Sequence, residues 1–368
     1  MPAIRDASPA ELASWDRRMV HGPGGHVYQS TIWAAQRERL GWRPRFVMLD
    51  DERGALVLTR PFPWVGGSSA YVPRGPVADP SRESAEQIAG RAVALAGWLE
   101  GQAVDVVAMD AEIPAAHAGV VDRLAAAGFR RIPEIQPSRH RVSLSLAVDT
   151  DDDAVRAGCT KSTRQRITAA ERSGVVIQRH DRGGWEGGHP LFAPPDHTLD
   201  DALGAFATLL EGTGQRLGFR FGPRDVFIDW WRAAHDAGLL VYLEARDAGD
   251  LLGGLLLYRH GERLSTVHSA DAPGVRDSHP GVMHLLRWRA IQLAIREGRA
   301  EMDLGGVDIA PDHREPVKGD AMAGLYEHKR SYGASWVEMI GAHERVMRPR
   351  RYAVGRLAGR AGRILGRR

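Results

Sequence analysis

One order of elements can be read twice along this chain, and that repetition limits the fold more than any single motif. Residues 26–42, HVYQSTIWAAQRERLGW, read as a cap and a helix. Ser30 or Thr31 can cap it, Trp33, Ala34, Arg37 and Leu40 follow, and Gly41 stops it. Arg45–Leu49 and Ala55–Thr59 read as strands joined by a turn over Asp50–Gly54. Ser69–Val72 reads as a third strand, ending in Pro73-Arg74-Gly75-Pro76. An alanine-rich helix over Ser84–Glu100 and a strand over Val104–Met109 complete the set. In the second half the helix is Val226–Ala237, and the strands are Leu239–Ala245, Leu251–Tyr258 and Arg263–His268. A polar loop, a long helix over Val282–Glu297 and a strand over Glu301–Leu304 then follow. Identity between the halves is negligible, so the agreement lies in the order of elements.

Two copies of one mixed α/β fold satisfy this pattern. A three-strand meander followed by a helix and a strand is the layout of N-acetyltransferase-type folds, and 368 residues leave room for two such domains. Between the halves, His140–Leu146 alternates as a strand. The stretch CTKSTRQRITAAERSG then reads as one basic helix ending at Gly174, with Lys161, Arg164 and Arg166 available to phosphate. Arg182–Leu199, rich in Gly, Pro and His, reads as a loop.

Composition excludes several classes. The single cysteine, Cys159, rules out an intramolecular disulfide and a cysteine-based metal site. No window approaches about 20 consecutive apolar residues and no signal peptide is visible, so a cytoplasmic location is expected. Net charge is +3, but nine arginines lie between Arg345 and Arg368 with no acid or lysine among them. Subtracting those nine leaves −6 on the rest, which is not the balance of a protein that coats nucleic acid. There is no GxxxxGK[ST] loop and no HExxH. The spacing of His260, His268, His279, His284, His313 and His328 matches no metal site, so none is expected. Ser278-His279-Pro280-Gly281-Val282 precedes the long helix without the glycine pattern usual for coenzyme A, which weighs against an acetyl-CoA enzyme. A helix N-terminus can nevertheless bind an anion.

The stretch Glu301–Gly333, EMDLGGVDIAPDHREPVKGDAMAGLYEHKRSYG, gathers the chemistry. A strand end with Asp303 turns at Gly305-Gly306, where backbone can approach a ligand. It closes on His328-Lys329-Arg330-Ser331-Tyr332-Gly333, and a lysine held among aromatic neighbours can stabilise an oxyanion. Asp303 and Asp308 are candidate bases.

Together with VYQSTIWAAQRERLGWRPRFV, AYVPRGPVADP, CTKSTRQRITAAERSGVVI, the GTGQRLGFRF region and DLGGV, this stretch resembles the FemABX family of tRNA-dependent, peptidoglycan bridge-forming aminoacyltransferases. The segments stand in the family's order over nearly the whole chain. The resemblance implies two acetyltransferase-like (GNAT) domains, α/β with mixed sheets flanked by helices. It places residues 1–148, completed by 335–352, in the first domain and 149–334 in the second, with a basic amphipathic tail over 353–368. No heptad stretch is present, so no coiled-coil arm is expected.

The implied reaction moves an amino acid from aminoacyl-tRNA, a co-substrate rather than a cofactor, to the stem-peptide amine of lipid II or the UDP-MurNAc-pentapeptide. Lys329 matches the lysine of the family's Phe-Lys-x-x-Phe-Gly motif and takes the oxyanion-stabilising role. His328 replaces the first aromatic of that motif and is a possible helper in proton transfer. Arg37, Arg74, Arg216 and Arg220, with Trp33 and Tyr71, lie in segments resembling the acceptor groove. Arginine suits its phosphates and carboxylates. In the tail, Val354, Leu357, Ala358, Ala361, Ile364 and Leu365 recur at helical spacing beside Arg356, Arg360, Arg363 and Arg367. That pattern suits an anionic membrane surface, which favours lipid II as acceptor, with tRNA contact and a disordered basic tail as the competing readings. The alternative on the same fold is N-acyltransfer from acyl-CoA or aminoacyl-tRNA to a small amine. A non-catalytic double-domain protein binding tRNA or membrane is the third reading.

Overall fold

The computed structural model describes residues 4–182, 191–217 and 222–365, with side chains described throughout except at Leu217 and 358–365. In chain order the strands are β1 (Arg5–Asp6), β2 (Arg43–Met48), β3 (Gly54–Pro61), β4 (Ser68–Val72), β5 (Val104–Met109), β6 (Phe129–Arg131), β7 (Arg141–Ser145), β8 (Val176–His180), β9 (Leu240–Asp247), β10 (Asp250–His260), β11 (Arg263–Asp271), β12 (Glu301–Asp303), β13 (Ser335–Val337) and β14 (His343–Val346). The helices are α1 (Pro9–Ala13), α2 (Trp15–Met19), α3 (Thr31–Arg39), α4 (Ala85–Gly101), α5 (Val120–Ala126), α6 (Asp152–Gly158), α7 (Lys161–Arg172), α8 (Leu199–Leu217), α9 (Arg224–Asp236), α10 (Val275–Ser278), α11 (Val282–Arg296), α12 (Ala323–Arg330) and α13 (Pro349–Leu365).

Two compact units result: Met1–His140 with Val337–Arg368, and Arg141–Trp336. Their sheets repeat one topology. The first runs β1-β2-β3-β4-β5-β14-β6, and the second, read from its β8 edge, runs β8-β9-β10-β11-β12-β7-β13. In each, four antiparallel strands lead to one parallel pair, β4 with β5 or β11 with β12. A parallel pair needs a long crossover, supplied here by α4 and by α11. The strand beyond the parallel pair comes from elsewhere in the chain: β14 pairs antiparallel with β5, and β7 with β12. This placement of β7 moves the boundary expected after residue 148 back to His140. Ser143 and Leu144 pair with Asp303 and Met302, so the strand belongs to the second sheet. The boundary expected after 334 falls after Trp336.

Local sequence explains the crossovers. Ser84 caps α4 and forms a reciprocal capping box with Gln87, and Ser30 Oγ accepts the Trp33 N–H at 3.0 Å to start α3. Ile88, Leu95 and Leu99 of α4 face Val57, Val72 and Val107 in the first core. Leu285, Leu286, Trp288 and Ile291 of α11 share the second with Leu255, Leu257, Leu264 and Met302. A bulge interrupts β11: Leu256 pairs with His268 and Leu257 with Thr266, leaving Val267 as the extra residue. The basic stretch expected as one helix to Gly174 starts at Lys161, because Thr160 is extended and its side chain accepts from the Thr163 N–H as the N-cap. The loop expected over 182–199 lies partly outside the described residues, at 183–190. No described helix is long and apolar enough to cross a membrane.

Candidate functional site

Lys329 sits in the last turn of α12 and is 4% exposed. Its Nζ donates to the carbonyl oxygens of Gly305 at 2.9 Å and Gly306 at 3.2 Å, where the chain leaves β12. Gly305 has φ +81°, and its N–H donates to Asp303 Oδ1 at 2.7 Å. A β-carbon at Gly305 would stand 3.1 Å from the Thr266 carbonyl oxygen and 3.3 Å from Lys329 Nζ, so the turn and the lysine's seat both require glycine. Burial pulls the Lys329 ammonium well below its ordinary pKa and the charge of Arg287 adds to this; Asp303 and Asp308 oppose it. The Asp308 carboxylate is in contact with His313.

His328 is tied to two residues absent from the sequence-based candidates. Arg287 of α11 donates its Nε–H to His328 Nε2 at 2.9 Å, and His328 Nδ1 lies 3.1 Å from His284 Nε2. A guanidinium only donates, so His328 Nε2 carries the lone pair and Nδ1 the proton, which it gives to His284. Burial, reinforced by Arg287, pushes His328 down to about 2, and burial pushes His284 down to about 4. Both rings are therefore neutral near neutral pH, and the basic nitrogen of His328 is already occupied. The signal for Arg287 was present in the sequence: Arg287 shares a helical stripe with His284, Trp288 and Ile291, where a core position is expected.

Helix α7 braces this turn. The Thr160 N–H donates to the Ser331 carbonyl at 2.8 Å, and Thr163 Oγ1 donates to Ser331 Oγ at 2.7 Å. Of the three candidate phosphate contacts on α7, Lys161 and Arg166 are exposed. Arg164 is committed to backbone carbonyls, with Nη1 donating to Ala157 at 3.1 Å and to Cys159. Arg216 is engaged by Thr213 Oγ1 at 3.0 Å and by the Asp271 carboxylate at 3.5 Å. Arg220 lies outside the described residues.

In the first unit, four of the acceptor candidates come together around Tyr28. The Tyr28 ring stacks on Trp33 at 4.2 Å, and the Arg37 guanidinium lies over the Trp33 ring at 3.9 Å. Tyr71 donates its hydroxyl to Asp110 Oδ2 at 2.9 Å and accepts from Gln136 at 3.0 Å. The backbone N–H of Arg74 donates to Asp110 Oδ1 at 2.6 Å, while its Nε lies 3.8 Å from Glu112. Arg74 adopts φ +48°, a strained value for a residue with a side chain and a kind of strain that concentrates at binding sites. Burial works against its charge, but Glu112 and Asp110 outweigh burial and hold the proton more firmly than usual. Burial raises Asp110, and Arg74 restrains the rise.

Among the described residues one trio has the reach to hold a metal ion: His180, His197 and Glu244. Glu244 Oε1 lies 2.9 Å from His180 Nε2 and 2.8 Å from His197 Nε2. Arg246 already matches the carboxylate's charge at 3.2 Å, and its Nη2 lies 3.1 Å from His197 Nε2.

Residues 157–330 match the family model described as an acetyltransferase (GNAT) domain. Among solved structures, FemX is similar over 95% of this chain and 99% of its own, at 17% identity and a TM-score of 0.75. L-PGS from Bacillus licheniformis is similar over 99% and 98%, at 11% identity and a TM-score of 0.50. The C-terminal domain of a putative lysylphosphatidylglycerol synthetase from Agrobacterium fabrum is similar over 96% of each chain, at 13% identity and a TM-score of 0.50. No curated protein matches the sequence. The expected fold, two acetyltransferase-like domains with mixed sheets, is the fold observed.

Proposed function

We propose that the chain transfers an amino acid from the ester of its tRNA to the stem-peptide amine of a peptidoglycan precursor. The observation that carries this reading is the seating of Lys329. The lysine of the family-like motif is buried where the parallel strand pair of a GNAT domain ends, in a chain that follows FemX over nearly its full length. The amine nitrogen attacks the ester carbonyl carbon, an amide forms, and the carbon–oxygen bond to the ribose breaks. The amine's proton leaves with the ribose oxygen as the tRNA hydroxyl. An ester needs no enzyme nucleophile for this step. It needs positioning and a donor for the oxyanion, and Lys329 is that donor. Because the His328 lone pair is held by Arg287, the histidine serves position rather than proton removal. Arg37, Arg74, Tyr71 and Trp33 form the acceptor-binding group in the first unit, while the exposed Lys161 and Arg166 of α7 are the candidate contacts for tRNA phosphate.

Lipid II is favoured as the acceptor because Val354 and Leu357 of α13 are exposed beside arginines. The acetyltransferase-domain match also suits acyl-CoA as donor to a small amine, which is the second reading. Incubation with mixed aminoacyl-tRNAs and lipid II, followed by mass spectrometry of the stem, tests the first. A gain of one amino-acid residue, abolished by ribonuclease and in Lys329→Ala, is the expected result. No gain on lipid II carrying either common diamino residue, with turnover of acyl-CoA instead, would replace it with the second.

A further inference from the structure

Two other buried arginines of this unit, Arg179 and Arg259, are each paired with the Asp181 carboxylate, and the partly buried Arg289 lies 3.2 Å from Glu171. Arg287 is 2% exposed, yet among the described residues no carboxylate lies within ion-pair distance of it. Its Nε–H goes to neutral His328 and its Nη2 to Ser269 Oγ at a long 3.4 Å, while Nη1 is buried with no hydrogen-bond partner. An unmatched buried charge is costly, and a fold that keeps one with a spare donor is organised for an anion it does not itself provide. Lys329, whose charge Asp303 and Asp308 do support, shares only the spare donor. Two of its three N–H groups go to the Gly305 and Gly306 carbonyls, and among the described residues the third has no partner. Arg287 is hydrogen-bonded at 2.9 Å to His328, the residue next to Lys329 on α12, and its charge helps to depress that ammonium.

We infer that Arg287 Nη1 and the remaining Lys329 N–H form a binding site for an anionic oxygen of the substrate, with His328 as the positioning residue that aims Arg287. The ligand's chemical class is an oxyanion or carboxylate of an acyl group, or a phosphate oxygen, since a guanidinium binds all of these in the same way. Which of them the enzyme uses rests on the proposed reaction; the anion site itself does not.

The test uses the full chain. Its melting temperature is followed while chloride is exchanged for acetate, or for inorganic phosphate, at constant ionic strength. A ligand that binds the folded state alone raises the melting temperature saturably. The expected result is such a rise for wild type with at least one anion and none for Arg287→Met, whose apolar side chain fills a similar volume. Acetate alone points to the acyl oxygen, phosphate alone to the nucleotide. His328→Gln, which keeps an acceptor for the Arg287 Nε–H, retains more of the response than His328→Leu. No saturable rise in wild type, or equal rises in wild type and Arg287→Met, overturns the site. Should Arg287→Met fail to fold by circular dichroism, Arg287→Lys decides. A midpoint at least about tenfold higher in anion supports the site, and an unchanged midpoint overturns it. A response lost in Arg287→Met by a protein that transfers nothing to lipid II would leave the site standing and remove the proposed reaction.

Discussion

Lys329 and three partly buried histidines of the second unit, His268, His284 and His328, give opposite tests of what burial does to a charge. Lys329→Met replaces an ammonium that burial already disfavours with an apolar chain of similar length. Stability is therefore expected to hold or rise, because an apolar isostere of a buried charge is often neutral or better. Transfer activity is expected to fall by about 100-fold or more, mainly in kcat, as for loss of one oxyanion donor. A variant that melts below wild type and loses activity only in proportion to its unfolding would give Lys329 a structural role instead. The histidines act on stability through pH. Unfolded, each takes up a proton near pH 6.5. In the fold, burial holds His268 and His284 to about 4, and burial with Arg287 holds His328 to about 2. Below pH 6.5 the unfolded chain binds more protons than the folded one. The stabilisation is thus complete above that pH and drains away as pH falls toward 4, at about 1 kcal/mol per pH unit for each ring. Urea midpoints measured at about pH 7 and about pH 5 should differ accordingly, and His284→Gln should flatten the slope. Equal midpoints at the two pH values would mean that the rings are charged in the fold.

At the scale of elements, the turn between β12 and α12 links the sheet to the lysine. Gly305→Ala would force a side chain into φ +81° and against the Thr266 carbonyl at 3.1 Å. A loss of about 1–2 kcal/mol in stability follows from the strained backbone, with a fall in transfer activity because the Gly305 and Gly306 carbonyls seat Lys329. Activity and melting temperature both at wild-type level would show that the turn tolerates a β-carbon. Strands β2 to β5 and β9 to β12 were legible because hydrophobic runs bounded by Gly, Asp and Pro mark them locally, as at Asp50–Gly54; the short β1 and the edge strand β8 were not marked in this way. The destination of β7 was not legible. Arg141–Ser145 alternates as an isolated strand should, but nothing within it says that Ser143 pairs with Asp303, far along the chain. The candidate site divides in the same way. Lys329 and Gly305 carry a motif that sequence can display. Arg287 could be placed on a core stripe of its helix, but its partner His328 is distant in sequence, as are the neighbours that give meaning to His284 and to the Asp110–Glu112 pair around Arg74. Arg164 and Arg216 looked like free cations, and their engagement with the Cys159 carbonyl and with Asp271 is equally non-local.

At the scale of the whole molecule, charge is separated along the chain: nine arginines after residue 344 against −6 on everything before them. The root of α13 is fixed in the first unit, where Arg351 Nη2 meets Asp105 at 2.5 Å and a β-carbon at Gly355 would collide with the Phe62 ring at 2.5 Å. Just beyond that root the apolar residues turn outward: Val354 is 49% exposed and Leu357 64%. A helix docked at one end that displays apolar and basic residues beyond it suits an interface of acyl chains and anionic headgroups. Each arginine near such a surface contributes about 1 kcal/mol of attraction, which is screened by salt. Deleting residues 356–368 leaves Arg351 and Tyr352 in place, so the truncated protein is expected to keep its melting temperature and its activity on the soluble nucleotide-linked acceptor. Sedimentation with vesicles rich in phosphatidylglycerol should fall at least about tenfold, with little binding to phosphatidylcholine by either form. Activity on vesicle-embedded lipid II should fall in parallel. If the truncated form sediments like the full chain but binds tRNA more weakly, the arginines serve the donor. The preference for a lipid-linked acceptor would then lose its physical basis, because exposed Val354 and Leu357 offer nothing to a polyanion, whereas a membrane interface uses both halves of the pattern.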